Sequence, residues 1–299
     1  MATMPVVAGV DGSEESLLAA EWAAQEAQRR EAPLRLVTAV TMPPRMHARG
    51  ADPQTVADKL RAESARALSE AVTRVEEASS GLLIDASLLD GAPALAVTAS
   101  GSGALMLVVG ARGAGGFAQL LLGSVSRYAA MHAACPVVVV RQETSAVHGE
   151  IVVGIGDPLD SAATLAFAFD EAAARGAAVT AVHGMSWNPA ANLQPGGPER
   201  LAAEADGNLA EALRPWQAKY PAVPVRRDVV HGHIAQVLAS YASRADLVVI
   251  GRHSSGHVVG GIQHAVLGHA HGPVAIVPGI AVVSDAVIVP DTAVVTVAG

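Results

Sequence analysis

Aromatic side chains are scarce: Phe, Tyr and Trp together make up 3% of the 299 residues. A hydrophobic fraction of 51% must therefore be packed from Ala, Val and Leu. That small aliphatic composition suits parallel sheets covered by alanine-rich helices. Charged residues are only 16%, and so high an apolar content excludes a disordered chain. Basic residues number 20 against 28 acidic ones, for a net charge of −8 with no dominant basic stretch. The attraction for a phosphate backbone that drives nucleic-acid binding is missing, so no nucleic-acid partner is expected. The single cysteine, Cys135, excludes an internal disulfide, and its place before Pro136 at the start of an apolar run marks a buried thiol. Apolar runs such as 104–109 and 137–140 fall far short of the roughly 20 residues needed to span a bilayer. The N-terminus lacks a basic region followed by a long apolar stretch, so no signal peptide is read. A soluble, cytoplasmic protein without a membrane partner is expected. The sequence also has no Gly-x4-Gly-Lys-Ser/Thr loop, and no Ser-His-Asp order, metal-ligand cluster or carboxylate pair stands out.

What the chain does have is a long repeat. Val6-Val-Ala-Gly-Val-Asp-Gly-Ser13 is similar to Ile151-Val-Val-Gly-Ile-Gly-Asp-Pro158. Leu105-Met-Leu-Val-Val-Gly110 matches the stretch ending at Gly251, and Cys135-Pro-Val-Val-Val-Val140 matches Gly272-Pro-Val-Ala-Ile-Val277. A period of about 145 residues is too long for a solenoid and implies two whole domains. Their expected bounds are 1–141 and 150–280, with a short polar linker and a tail at 281–299. The tail is apolar but irregular: an added edge strand, a pairing segment and a loose attachment all remain open.

Within the first copy, strands are expected at 6–10, 34–40, 82–89, 105–110 and 137–140. Helices are expected from a Ser13 cap to about Arg30, at 55–79, at 93–100 and at 124–134. The polar stretch 42–53 crosses between the second strand and the second helix. Alternation of this kind implies parallel strands with right-handed crossovers. The fold class is therefore α/β: two tandem doubly wound domains, each a five-stranded mainly parallel sheet with helices on both faces. Ligands of such sheets bind beyond the carboxyl ends of the strands.

The loop after the fourth strand carries the chemistry. It runs Gly110-Ala-Arg-Gly113, nine further residues, then Gly123-Ser-Val-Ser126. Glycines let backbone N–H groups converge on an anion, and a helix starting at Ser124 adds free N–H groups and its dipole. Ser124 and Ser126 offer hydroxyls, and Arg112 and Arg127 could balance charge, although solvated arginines are the commoner case. Asp11, at the same sheet edge, could accept from a ribose, help hold a metal ion, or simply cap the next helix. Ser13 reads as a cap. A connection this long without structure of its own is more often functional than not. Gly113-Ala-Gly115-Gly-Phe-Ala118 also fits a loose dinucleotide pattern, but it follows the wrong strand and is discounted.

On these residues the sequence resembles the universal stress proteins in their tandem form, over nearly the whole chain. The motif Gly-x2-Gly-x9-Gly-Ser is met by Gly110, Gly113, Gly123 and Ser124, and Val10-Asp11-Gly12-Ser13 is also typical. The resemblance implies ATP, with Mg2+, in the first copy. It places Asp11 at the ribose or adenine side and Val40 against adenine through its backbone. Gly110, Gly113, Gly123, Ser124, Val125 and Ser126 would surround the triphosphate. It also implies a regulatory role in stress or dormancy, and assembly as a homodimer or as an intrachain pseudo-dimer of the strands at 137–140 and 274–277.

The second copy departs from the motif. Gly251 to Pro273 is 22 residues where Gly110 to Pro136 is 26, so four loop residues are missing. Ser254 stands for Gly113, Gly261 for Ser124, and Gly156 for Asp11. Weak or absent nucleotide binding is expected there. His253, His257, His264, His269 and His271 read as surface and helix histidines rather than as a metal site. Two other functions stay open: a slow ATPase or adenylate-forming enzyme, for which Asp11 and His132 are the only nearby groups, and a nucleotide-free chaperone or interaction module.

Overall fold

The computed structural model describes residues 3–41, 52–114, 122–141, 147–157, 160–185, 196–252, 261–281 and 289–290. Contacts divide the chain into two units, Met1–Glu143 and Thr144–Gly299.

The first unit alternates β1 (Val6–Gly9), α1 (Glu14–Arg29), β2 (Leu34–Val40), α2 (Pro53–Ala78), β3 (Ile84–Asp90), α3 (Pro93–Ser100), β4 (Met106–Gly110), α4 (Ser124–His132) and β5 (Val137–Val140). Its strands are ordered β3-β2-β1-β4-β5. All neighbours are parallel, with Val6 opposite Leu34 on one side and Met106 on the other. The second unit repeats this as β6 (Glu150–Ile155), α5 (Ala162–Arg175), β7 (Ala178–Met185), α6 (Gly197–Lys219), β8 (Val225–His231), α7 (Ile234–Tyr241), β9 (Leu247–Arg252), α8 (Gly261–His269) and β10 (Val274–Pro278). Its order is β8-β7-β6-β9-β10, again parallel. Each half is thus the doubly wound five-stranded sheet that the alternation predicted. β11 (Ile280–Ala281) and β12 (Val289–Pro290) form a short antiparallel ladder; the rest of the tail lies outside the described residues.

The low aromatic content shows in how the cores are built. β1 is fully buried as Val-Val-Ala-Gly, and α1 turns Ala19, Ala20, Ala23, Ala24 and Ala27 inward. Small side chains let helix and sheet approach closely, and each buried Leu or Val contributes about 1.5–3 kcal/mol. Glu63, Glu70, Glu76 and Glu77 of α2 are exposed. Two other helix acids are not solvent-facing. Glu26 and Glu171, 145 residues apart, are fully buried, and each is held by an arginine four residues on, Arg30 and Arg175. Arg29 also pairs with Glu26, at 3.0 Å. Cys135 is buried.

α2 starts two residues before the predicted Thr55, because the Asp52 carboxylate accepts from the Thr55 N–H at 3.2 Å and Pro53 occupies the first helical position. Proline has no N–H to leave unsatisfied there and its φ is preset. The crossing segment 42–51 lies outside the described residues. In the first unit the chain leaves β1 toward β2 on one side and later enters β4 on the other. The connections therefore diverge above the carboxyl ends of β1 and β4, where sheets of this class open a crevice. Among the described residues no helix is long and apolar enough to cross a membrane.

Candidate functional site

At that crevice the turn after β1 is tightly organised. Gly12 has φ +82°, a left-handed conformation that suits glycine. The Ser13 hydroxyl oxygen accepts from the Ser16 N–H at 3.3 Å and so caps α1. The same hydroxyl donates to Asp11 Oδ1 at 2.6 Å, and the Ser13 N–H donates to that oxygen at 3.1 Å. Ser13 is therefore the cap, and Asp11 buttresses it. The second Asp11 oxygen reaches across the crevice and accepts from the Ala114 N–H at 2.8 Å.

The glycines after β4 are required by close approach. A Cβ on Gly110 would lie 2.8 Å from the Glu15 carbonyl carbon, so any side chain would push β4 off α1. A Cβ on Gly113 would run into the Asp11 carboxylate. Between them, the Arg112 N–H donates to Glu15 Oε2 at 2.6 Å and its Nε donates to Glu15 Oε1 at 2.7 Å. Arg112 is thus paired with Glu15 while its side chain stays 42% exposed. Behind this pair, burial lowers the Arg141 pKa from the ordinary arginine value; Glu15 opposes that shift and Arg112 adds to it.

α4 begins with Gly123 as its cap, a residue with no side-chain oxygen to offer. The N–H groups of Ser124, Val125 and Ser126 have no acceptor within the helix, and the helix dipole points the same way. The Gly123 N–H donates to the Ala111 carbonyl at 2.7 Å. The Ser126 hydroxyl donates to that carbonyl at 2.9 Å, so it fastens α4 to the end of β4 instead of pointing outward. Ser124 and Arg127 are exposed.

These pieces enclose a cavity of about 440 Å³. Of the residues singled out in the sequence, Val10, Asp11, Gly110, Arg112, Gly113, Gly123, Ser124, Val125 and Ser126 line it. Gly12, Ser13 and Val40 are not among its lining residues; the Val40 carbonyl accepts from the Gly91 N–H at 3.0 Å. The other end is apolar and was missed: Thr38 and Ala39 of β2, Pro93 and Val97 of α3, and Val109. No motif marks α3, and its place over the crevice follows only from the strand order. His132 lies elsewhere, with Nδ1 2.9 Å from the Tyr128 carbonyl and its ring stacked on Tyr128 at 4.1 Å.

The equivalent cavity of the second unit is about 190 Å³. Aligning β8 with β3 through their registers places Ile234 where Pro93 stands and Leu238 where Val97 stands. Both side chains are bulkier; a Cβ on Gly154 would lie 2.7 Å from Leu238, as one on Gly9 would from Val97. Counting back from the following Pro, Gln263 replaces Ser126. It is 7% exposed, and its side-chain amide donates to the Gly251 carbonyl at 3.0 Å. His264, His269 and His271 are exposed, while His253, His257 and Ser254 lie outside the described residues. Among the described residues no three His, Cys, Asp or Glu gather as a metal site.

Comparison with known proteins agrees with this architecture. The Universal stress protein family matches the chain twice, over residues 3–141 and 149–278. A universal stress protein of Mycobacterium tuberculosis is 36% identical over 288 residues, covering 90% of this chain and 95% of that one. Another, from Mycolicibacterium smegmatis, is 33% identical over 285 residues, covering 91% and 96%. The crystal structure of a universal stress protein from Archaeoglobus fulgidus superposes with a TM-score of 0.68 at 16% identity, covering 91% of this chain and 97% of that one. Two matched halves, the same parallel strand order in each and relatives of this identity matched along their length make the chain a member of the universal stress protein family in its tandem, two-domain form.

Proposed function

We propose that the N-terminal half binds an adenine nucleotide, ATP with Mg2+, and that the protein acts as a nucleotide-responsive regulator in stress. The observation that carries this reading is a cavity with two chemically distinct ends. One end is the uncapped start of α4, where three N–H groups and the helix dipole favour a polyphosphate. The other is the apolar shelf of Ala39, Pro93 and Val97, which suits a planar base. Glycine at 110 lets β4 approach the main chain of α1 where a side chain would clash, and glycine at 113 leaves the Asp11 carboxylate its place. Asp11, exposed at the mouth, is placed to meet a ribose hydroxyl or a phosphate-bound Mg2+. Binding without hydrolysis is favoured, since His132 does not line the cavity and Asp11, the other nearby group, is engaged by Ser13 and by the Ala114 N–H. Occupancy acts by shifting the population of arrangements around the loop.

The second half is proposed to be mainly scaffold. Ile234 and Leu238 fill the base end, and Gln263 fills the phosphate end.

Mass spectrometry of small molecules released from the purified, denatured protein tests the reading, together with titration of ATP and Mg2+ into stripped protein. Adenine nucleotide is expected from the wild type and not from Gly123→Glu, which sets a carboxylate at the phosphate end. A wild-type chain that retains none, even at millimolar ATP with Mg2+, overturns the proposal.

A further inference from the structure

Arg112 is the only cationic side chain among the described residues lining the cavity. A phosphate at the start of α4 would gain most from that guanidinium, since charge-assisted pairs with arginine are the strong ones. Yet the guanidinium is turned to Glu15, with Nη2 at 2.5 Å and Nε at 2.7 Å from Oε1, while Oε2 takes the Arg112 N–H. One carboxylate therefore occupies a loop amide and the loop cation together, as an anionic ligand would. It is well placed to persist: the Glu15 side chain is 13% exposed and stands in the first turn of α1, where the helix dipole favours negative charge.

We infer that Glu15 is a specificity-determining residue. It competes with the ligand's phosphates for Arg112 and holds down the preference for polyphosphate over nucleoside. This rests on the nucleotide-binding reading above.

The test is calorimetric titration of the full chain with ATP, ADP, AMP and adenosine in the presence of Mg2+. Glu15→Gln keeps the shape and an acceptor for the Arg112 N–H but removes the charge. ATP affinity is expected to rise about tenfold, the scale of one partly exposed charge-assisted pair, with a smaller rise for AMP and none for adenosine. Arg112→Ala is expected to cost more ATP affinity in the Glu15→Gln background than in the wild type, because only there is the guanidinium released. Glu15→Asp, one methylene short of Arg112, is expected to change ATP affinity in the same direction by less, and serves if Glu15→Gln does not fold. Unchanged or weaker ATP binding in a folded variant, an equal change for adenosine, or no coupling to Arg112 overturns the inference. In each of those cases wild-type binding shows that the nucleotide reading itself survives; a wild type that binds none of the four ligands ends both.

Discussion

Pro93 and Val97 decide how much room the apolar end of the cavity offers, and the second half shows what larger neighbours do there. Installing its residues in the first half, as Pro93→Ile with Val97→Leu, overfills a space that is already tight against Gly9, where a Cβ would lie 2.7 Å from Val97. Overpacking of this kind costs about 1–3 kcal/mol. ATP and adenosine are therefore both expected to bind about tenfold more weakly or worse, in contrast to the phosphate-only effect of Glu15→Gln. Titration with both ligands checks this, and equal affinity for adenosine in the variant would count against the shelf as the base site. At this scale the sequence was informative where main chain makes the demand. The spacing of Gly110, Gly113 and Gly123 marks the loop: a Cβ at Gly110 would strike the main chain of α1, one at Gly113 would meet the Asp11 carboxylate, and one at Gly123 would sit 3.3 Å from the Ala111 carbonyl. It was silent about Glu15, whose partner lies 97 residues on, and about Pro93 and Val97, whose relevance needs the strand order.

At the scale of elements, the buried acid on the first helix of each half is the clearest structural repeat. Glu26 and Glu171 carry no accessible side-chain surface, and each is paired within its own helix. Breaking a buried pair from one side leaves an uncompensated charge, at a cost of about 3–5 kcal/mol. Glu26→Ala and Glu171→Ala are each expected to lose stability on that scale in urea titrations; a loss below about 1 kcal/mol would mean that the freed arginine reaches water. A helix acid four residues before an arginine reads from sequence as a surface pair, so nothing in the sequence separates these two from the exposed acids of α2. Surface carboxylates set the response to acid. A hydrogen bond from Arg74 lowers the Glu14 pKa, bonds from Thr55 lower that of Asp52, and a bond from Arg227 lowers that of Asp206. Each is lower in the folded chain than in the unfolded one, so its contribution is complete above the usual carboxylate range. It is lost as the pH falls through the folded value. Melting temperature is accordingly expected to be flat near neutrality and to drop below about pH 4, less steeply at high salt. A rise in stability on acidification would contradict this assignment.

For the whole molecule, duplication without equivalence is the main result. Hydrogen exchange with and without saturating ATP is expected to show added protection at β2, the start of α3, the end of β4 and the start of α4, and none across residues 151–278. Protection of comparable size around Gly251 and Gln263 would show two working clefts. The division into halves was legible from the repeat alone, because matched strand-and-glycine segments about 140 residues apart imply it. The unequal cavities were only partly legible. The shortened loop was visible, but Ile234, Leu238 and Gln263 acquire meaning only once the register sets them opposite Pro93, Val97 and Ser126. In the proposed reading, the Gln263 amide hooked on the Gly251 carbonyl makes the second cleft a lock with its key already moulded in. One equivalent of ATP should then saturate each chain along a simple hyperbola, so that the chain reports nucleotide level in graded fashion and any steepness must be supplied by whatever reads it.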